Sequence, residues 1–285
     1  MIQNIKTLHL EPTDVCNAAC PQCARTISDT FKDNQTHLTV EQIANQIDVT
    51  QLHKAYLCGV YGDPAAGKHT LDILKFLREQ NNTITLGMHS NGGLRSKEWW
   101  GELATIINRT KDYAVFSIDG LEDTNHIYRI NTQWNIIIQN AKEYINNGGN
   151  AHWEMLVYEH NQHQVDEAQQ LAHDLGFKFF RAKVSRRFDF APVKFLNPPK
   201  GWTDPVVTSG KIECGAIKDS SVYISADGIV RPCCWLFNDT LDNFDIVQNS
   251  WNTEQPNSIC KQTCSNNGTG TSFTNQWQRE VELNE

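Results

Sequence analysis

The chain has 285 residues, 39% hydrophobic and 20% charged, enough for one large domain, or a domain with an appendage, around a real core. A net charge of −8 argues against broad binding along a phosphate backbone. No apolar run reaches membrane-spanning length, and the opening stretch MIQNIKTLHLEPTD lacks the basic and apolar regions of a secretion signal. The expected protein is soluble and cytoplasmic, with neither membrane nor nucleic acid among its partners.

Along the chain, strand-like and helix-like segments alternate. The predicted strands are Ile5–Leu10, Lys54–Val60, Thr83–Met88, Tyr113–Ile118, Ala151–Tyr158 and Phe177–Lys183. The predicted helices between them are Thr39–Ile47, Leu71–Glu79, Lys97–Ile107, Trp134–Asn146 and His163–Asp174. Thr39 with Gln42 is a capping-box pattern, and Asn146–Asn147–Gly148–Gly149 is a helix stop. Strands interleaved with helices predict a parallel sheet with right-handed crossovers, short of the eight repeats that close a TIM barrel. From Val184 to Gly210 the pattern breaks into a Pro-rich linker. Beyond it, SVYISADGIVRPCCW carries a hairpin signal at Asp227–Gly228, and NNGTGTS reads as a flexible loop. The expected fold is α/β, a partial (β/α)6 TIM-like barrel over 1–190, a linker over 191–212, and a small cysteine-rich β-hairpin extension over 213–285.

The nine cysteines are clustered: three near position 20, Cys58 alone, and five between Cys214 and Cys264. In a reducing compartment such clusters read as metal ligands rather than disulfides. Cys16, Cys20 and Cys23 lie in DVCNAACPQCAR, just after the first strand. Three thiolates on one loop can hold three irons of a [4Fe–4S] cube and leave the fourth open to a small molecule. A zinc site is the alternative, with His37 as a distant fourth ligand. Cys58, inside a strand-like run, reads as a buried small apolar residue, and Trp99, Trp100, Trp134 and Trp153 read as packing.

The spacing Cys16-x3-Cys20-x2-Cys23 resembles the signature of the radical SAM superfamily, with Gln22 where that family usually has an aromatic residue. Further stretches follow in the family's order. CGVYGDPAAG after the second strand is similar to the Gly-Gly-Glu-Pro motif, which implies a part for Gly62, Asp63 and Pro64 in holding the amino group of S-adenosylmethionine (SAM). There, Gly62 permits close backbone approach to a ligand. HSNGG, with Ser90 and Asn91, is similar to the family's Thr-Asn-Gly. FSIDGLEDTNHIYR resembles the Ser-x-Asp-Gly…Arg stretch of members with SPASM or Twitch extensions. The resemblance implies that Ser117 contacts SAM and Arg129 its carboxylate, a bidentate match for a guanidinium. Asp119 either holds a ribose hydroxyl or caps the turn; His126 reads as structural, and Asn161 as a further polar candidate at the same end.

Cys214, thirteen residues, Gly228, four residues and Cys233 resemble the opening of a SPASM or Twitch domain, with Cys260-x3-Cys264 beyond. Four ligands, Cys214, Cys233, Cys260 and Cys264, would fit one auxiliary [4Fe–4S] cluster; Cys234 could replace Cys233, and a four-cysteine zinc site uses the same residues. The likeness covers about 10–183 and 214–264. It implies reductive cleavage of SAM to a 5′-deoxyadenosyl radical, which takes a hydrogen atom from a peptide or protein side chain for net oxidation or crosslinking. An electron donor such as flavodoxin or ferredoxin is implied. The competing readings are dehydrogenation of a small alcohol and a non-catalytic iron–sulfur or zinc protein. The basic run Arg181, Lys183, Arg186 and Arg187 either binds an anionic substrate group or faces water.

Overall fold

The computed structural model describes residues 4–28, 35–185, 187–188, 191–202, 212, 214–236, 259–260, 264 and 279–284. Six strands, β1 (Thr7–Leu10), β2 (Lys54–Leu57), β3 (Thr85–Ser90), β4 (Tyr113–Ser117), β5 (Ala151–Val157) and β6 (Phe179–Val184), pair in parallel, each with the next. The connections carry α1 (Ala24–Ile27), α2 (Val40–Ala44), α3 (Thr70–Gln80), α4 (Lys97–Ile106), α5 (Asn125–Tyr128), α6 (Trp134–Asn146) and α7 (Val165–Leu175). The sheet stays open, as expected of a partial TIM-like barrel.

The strands alternate sharply. One set of positions, including Leu8, Leu57, Met88, Phe116 and Trp153, is fully buried and packs into one core with Ile73 and Leu77 of α3, Trp100 of α4 and Tyr144 of α6. All four tryptophans of the sequence reading belong to this core or pack on it. The opposite set faces the concave side of the sheet, and it is polar. A period of two therefore separates a helix-covered wall from a lumen.

Local signals explain the element ends. The Thr39 side chain accepts from the Gln42 N–H at 3.3 Å while Gln42 Oε1 accepts from the Thr39 N–H at 2.9 Å, a complete capping box. The chain leaves α6 through Gly148 at φ +86°, which only glycine adopts without strain.

Two features go beyond the sequence reading. The hairpin of β7 (Ser221–Ile224) and β8 (Val230–Arg231), preceded by α8 (Gly215–Lys218), joins the barrel sheet itself: β7 pairs in parallel with β1, Thr7 opposite Ser221 through Leu10 opposite Ile224. At the other edge β9 (Arg279–Glu282) pairs antiparallel with β6. The order across the nine-stranded sheet is β8-β7-β1-β2-β3-β4-β5-β6-β9. Extension and barrel thus share one sheet, with no break between β1 and β7. Among the described residues no helix is long and apolar enough to cross a membrane. Arg186, residues 203–211 of the linker, and the loop at 266–272 lie outside the described residues.

Candidate functional site

The loop after β1 carries Cys16, Cys20 and Cys23 to the carboxyl end of the parallel sheet, where such folds keep their ligands. Backbone bonds fix it: Ala19 N–H donates to Ile130 C=O at 3.0 Å, Cys23 N–H to Cys20 C=O at 2.9 Å, and Asp63 N–H to Val15 C=O at 2.8 Å. Donors surround the sulfurs. Ala18 N–H lies 3.3 Å from Cys16 Sγ, Asn91 Nδ2 3.7 Å from the same sulfur, and Arg129 Nη1 3.7 Å from Cys20 Sγ. Burial, above all, raises the Cys16 thiol far above its ordinary range and pushes Cys20 up to about 11, and mutual repulsion among the three sulfurs adds to it.

The loops after β2, β3 and β4 converge on this one. Asp63 is buried, and its carboxylate accepts from Ser90 Oγ at 2.7 Å, Asn91 N–H at 2.7 Å and Ala65 N–H at 2.9 Å. It therefore joins the β2 and β3 loops, with Pro64 buried beside it. The close approach at Gly62 is to protein: a Cβ there would stand 1.9 Å from the Thr13 carbonyl oxygen. Asn91 also donates to Asn17 Oδ1 at 2.9 Å, within the cysteine loop. Ser117 ends β4 opposite Glu154. Asp119 accepts from Arg129 Nε at 2.6 Å and from Leu156 N–H at 2.5 Å, so both its oxygens are engaged by protein. Asn161 braces the same turn, donating to Asp119 C=O and Leu156 C=O at 2.9 Å each. His37 forms a backbone bridge with Thr13, and its strongest charged neighbours are Lys68 and Asp14.

Gln22, where an aromatic residue was expected, is fully buried and bonded throughout. Its side chain accepts from Ser185 Oγ at 2.7 Å and Tyr158 OH at 3.0 Å and donates to Ala191 C=O at 3.2 Å; its carbonyl accepts from Arg187 Nη1 at 2.5 Å. It ties the cysteine loop to the ends of β5 and β6. Tyr128, Tyr158 and Leu196 pack with Cys20 into a second apolar cluster, against which Cys16 and Cys23 lie.

In the extension, Cys233 has Cys214 and Cys260 among its charged neighbours, and Cys214 has Cys264. These four thiols therefore stand in one electrostatic neighbourhood. Cys234 turns the other way: it lies near Tyr56 and Tyr223 of the lumen and lines a cavity of about 400 Å³ with His9, Gln22 and Cys58.

The profile of the Radical SAM superfamily matches residues 10–172, more than half of the chain. The chain belongs to the radical SAM superfamily. A comparison with curated proteins finds no match. Among solved structures, Streptococcus suis SuiB bound to precursor peptide SuiA aligns with a TM-score of 0.60 at 16% identity, over 87% of this chain and 65% of SuiB. Native anSMEcpe with bound AdoMet and Cp18Cys peptide gives 0.56 at 15% identity, over 95% of this chain and 82% of anSMEcpe. BtrN in complex with AdoMet and 2-DOIA gives 0.53 at 11% identity, over 98% of this chain and all of BtrN. The chain thus covers slightly less than two thirds of SuiB, and these likenesses are likenesses of fold.

The lumen of this radical SAM barrel carries residues that the sequence reading missed. Seven rings, one from each parallel strand, cross it in a continuous belt: Tyr223, His9, Tyr56, His89, Tyr113, His152 and Phe179, with successive centroids 4.5–6.2 Å apart. Burial pushes His9, His89 and His152 each down to about 4, so the belt is uncharged at neutral pH. In the same lumen Glu154 pairs with Lys183 at 2.6 Å and Arg181 at 3.5 Å. Lys183 and Arg181 are therefore lumen residues, not a solvated linker face. Glu11 was missed too: one carboxylate oxygen accepts the N–H groups of Val60, Tyr61 and Gly62 at 2.7, 2.6 and 3.1 Å, and the other accepts Tyr223 OH. The available signal was a polar residue at every second position of strands otherwise built for burial. Cys58 follows β2 on the lumen side rather than lying inside the strand, and it lines the cavity.

The cysteines fit an iron–sulfur cluster. Three mutually repelling thiolates, Cys20 buried and Cys16 and Cys23 partly so, need nearby positive charge, and the N–H groups at Cys16 and Cys20 suit sulfurs that stay deprotonated. Among the described residues no three His, Cys, Asp or Glu side chains are placed to hold a single metal ion. A cube asks for less convergence, since each cysteine binds a different iron.

Proposed function

We propose that this protein holds a [4Fe–4S] cluster on Cys16, Cys20 and Cys23, binds SAM at the open iron, and abstracts a hydrogen atom from a peptide or protein side chain, for net oxidation or crosslinking. The observation that carries this reading is the cysteine loop at the carboxyl end of the sheet, with Asn91 and Arg129 aimed at its sulfurs. When bound, the cluster and SAM supply the reductive cleavage that yields a 5′-deoxyadenosyl radical. The chain's own share is orientation and exclusion of water. Arg129, held by Asp119, offers a guanidinium to the SAM carboxylate; Asp63 fixes Ser90 and Asn91 beside the loop, with Gly62 and Pro64 shaping the turn; Ser117 stands at the β4 end. The apolar cluster of Tyr128, Tyr158 and Leu196 keeps water from the sulfurs.

Cys214, Cys233, Cys260 and Cys264 would hold a second cluster, placed to accept the electron left on an oxidised substrate. The shared neighbourhood of these four thiols and the turn of Cys234 into the lumen cavity support that set over one containing Cys234. Reduction calls for a donor of the flavodoxin or ferredoxin type. SuiB and anSMEcpe, both similar in fold, were each captured with a peptide, which supports the peptide reading. One observation favours a second reading, dehydrogenation of a small alcohol: the 400 Å³ cavity has the size of a small-ligand site.

Iron and sulfide counts with EPR test the core claim. About eight irons per chain should fall to about four in a Cys16/Cys20/Cys23 triple alanine variant. The reduced protein should release 5′-deoxyadenosine from SAM and the variant none. Zinc in the extension would overturn the second cluster, and a reduced wild type that cleaves no SAM would overturn the catalytic reading. Faster SAM cleavage with peptides than with small alcohols separates the two substrate classes.

A further inference from the structure

We propose that Cys58 and Cys234 are hydrogen-atom donors facing the substrate cavity, a pair of thiols that can return a hydrogen to a carbon radical formed there. The inference rests on the radical SAM reading and adds residues to it.

The cavity lies between the two cysteine-rich regions. Gln22 and Ala24, which flank Cys23, form one wall together with Val60, whose carbonyl oxygen is 3.9 Å from Cys23 Sγ. Cys234 and Trp235 form another. Cys58 lines the same space: its neighbours Ala55 and Leu57 point into the helix-covered core, so Lys54, Tyr56 and Cys58 share the lumen face. Glu154 and Lys183, across the lumen, are among the charged neighbours of Cys58. Cys233 and Cys234 are adjacent but diverge, the first toward Cys214 and Cys260, the second toward Tyr56 and Tyr223. The cavity that touches the first cysteine loop is therefore lined by two thiols outside both proposed ligand sets.

The chemistry is specific to sulfur. A thiol S–H bond is weaker than an alkyl C–H bond, so a carbon radical takes its hydrogen readily, whereas a thiolate has none to give. Burial, helped by Glu154 and Glu11, pushes Cys58 up to about 12 and keeps it protonated at neutral pH. In the step, the S–H bond breaks, a C–H bond forms, and a thiyl radical remains. One electron from the low-potential donor that would drive SAM cleavage and one proton from water would restore the thiol. A substrate radical quenched in this way leaves by a redox-neutral route, beside the oxidative one.

The test needs no substrate. The cluster-loaded protein, in D2O with SAM and dithionite, should form 5′-deoxyadenosine carrying one deuterium, because S–H exchanges with solvent. In Cys58→Ser/Cys234→Ser the label should fall to natural abundance while iron and sulfide counts stay at the wild-type level. Serine keeps an exchangeable hydrogen on a bond too strong to give up. Unlabelled 5′-deoxyadenosine from wild type, label retained by the double variant, or iron lost on Cys234→Ser would each overturn the proposal. Absence of any 5′-deoxyadenosine would instead overturn the catalytic reading on which it rests.

Discussion

Glu11 offers the sharpest test of how the site is held together. It follows β1, and its carboxylate binds the Val60, Tyr61 and Gly62 N–H groups and the Tyr223 hydroxyl. One side chain thus fixes the β2 loop beside the cysteines and clamps the extension hairpin to the barrel. Glu11→Ala leaves four donors, the Tyr223 hydroxyl buried and the three N–H groups partly so, without an acceptor. At the low end of the cost per orphaned group this amounts to about 4 kcal/mol. Glu11→Gln keeps an oxygen for the three N–H groups and offers an amide N–H to the Tyr223 oxygen, so its cost is about 1 kcal/mol. Anaerobic urea unfolding should rank wild type, Gln and Ala in that order, and iron content should drop most in Ala. The pH dependence gives an independent check. Burial raises the Glu11 carboxyl above its ordinary value. Between the unfolded and folded values the native state binds more protons than the unfolded chain, so this group's contribution to stability falls as pH rises through that window. Glutamine does not titrate, so its deficit against wild type should shrink with rising pH over the same range. An Ala variant as stable as Gln, or a deficit that grows with pH, would refute the clamp.

Gly62→Ala drives a methyl group to 1.9 Å from the Thr13 carbonyl oxygen and should cost about 3 kcal/mol, with loss of iron, whereas Gly148→Ala, with open space and only a positive φ to resist it, should cost about 1 kcal/mol with iron retained. Arg129→Lys cannot reach both Asp119 and Cys20, and the half-paired buried carboxylate should lower stability by about 3 kcal/mol and weaken SAM binding in equilibrium dialysis; unchanged binding would argue against the carboxylate role. His9, His89 and His152 titrate near 4 in the fold and near 6.5 when unfolded. In that interval the unfolded chain binds protons that the fold does not, so stability is lost as pH falls. His89→Asn should remove about 1.4 kcal/mol of that loss per pH unit, and an unchanged slope in unfolding free energies at pH 5 and 6.5 would contradict it.

The alternation of elements was legible because each carries its own signal. The Thr39–Gln42 box and the glycine stop after Asn146 are local chemistry, and they sit where the sequence puts them. The Asp227–Gly228 hairpin is legible for the same reason, with Gly228 at φ +81°. Non-local pairing left no such mark. Nothing in SVYI says that it lies parallel to TLHL, nor that REVE closes the far edge, since main-chain hydrogen bonds carry little sequence information. The three cysteines and the polar residues after β2, β3 and β4 could be named from spacing and order. Their working partners could not: Glu11, Gln22 and Tyr158 act through folded contacts many residues away, with Gln22 reaching Ser185 and Ala191. That Cys58 faces the lumen was not legible, because a strand with two buried faces and a strand with one polar lumen face look alike over four residues.

The parallel pairing of β7 with β1 gives the extension its meaning. A closed eight-stranded barrel fills its interior with apolar layers. This sheet stays open, and its interior holds a belt of Tyr and His rings, the Glu154–Lys183 pair and a cavity. Uncharged rings can line such a space without the desolvation cost of buried ions, and they remain able to hydrogen-bond a guest. β1 is flanked on one side by β2, whose loop is bonded to the cysteine loop, and on the other by β7, whose hairpin leads to Cys233 and Cys234. Neighbouring strands lie about 5 Å apart. The chain therefore brings its two cysteine-rich regions to adjacent strands, more than 190 residues apart in sequence by the numbering of Cys16 and Cys214. Had the extension folded as a separate module on a flexible linker, the distance between the two cysteine-rich regions would vary. Strand pairing fixes that distance, and the cavity between them is lined from both, by Gln22 and Ala24 on one side and Cys234 and Trp235 on the other.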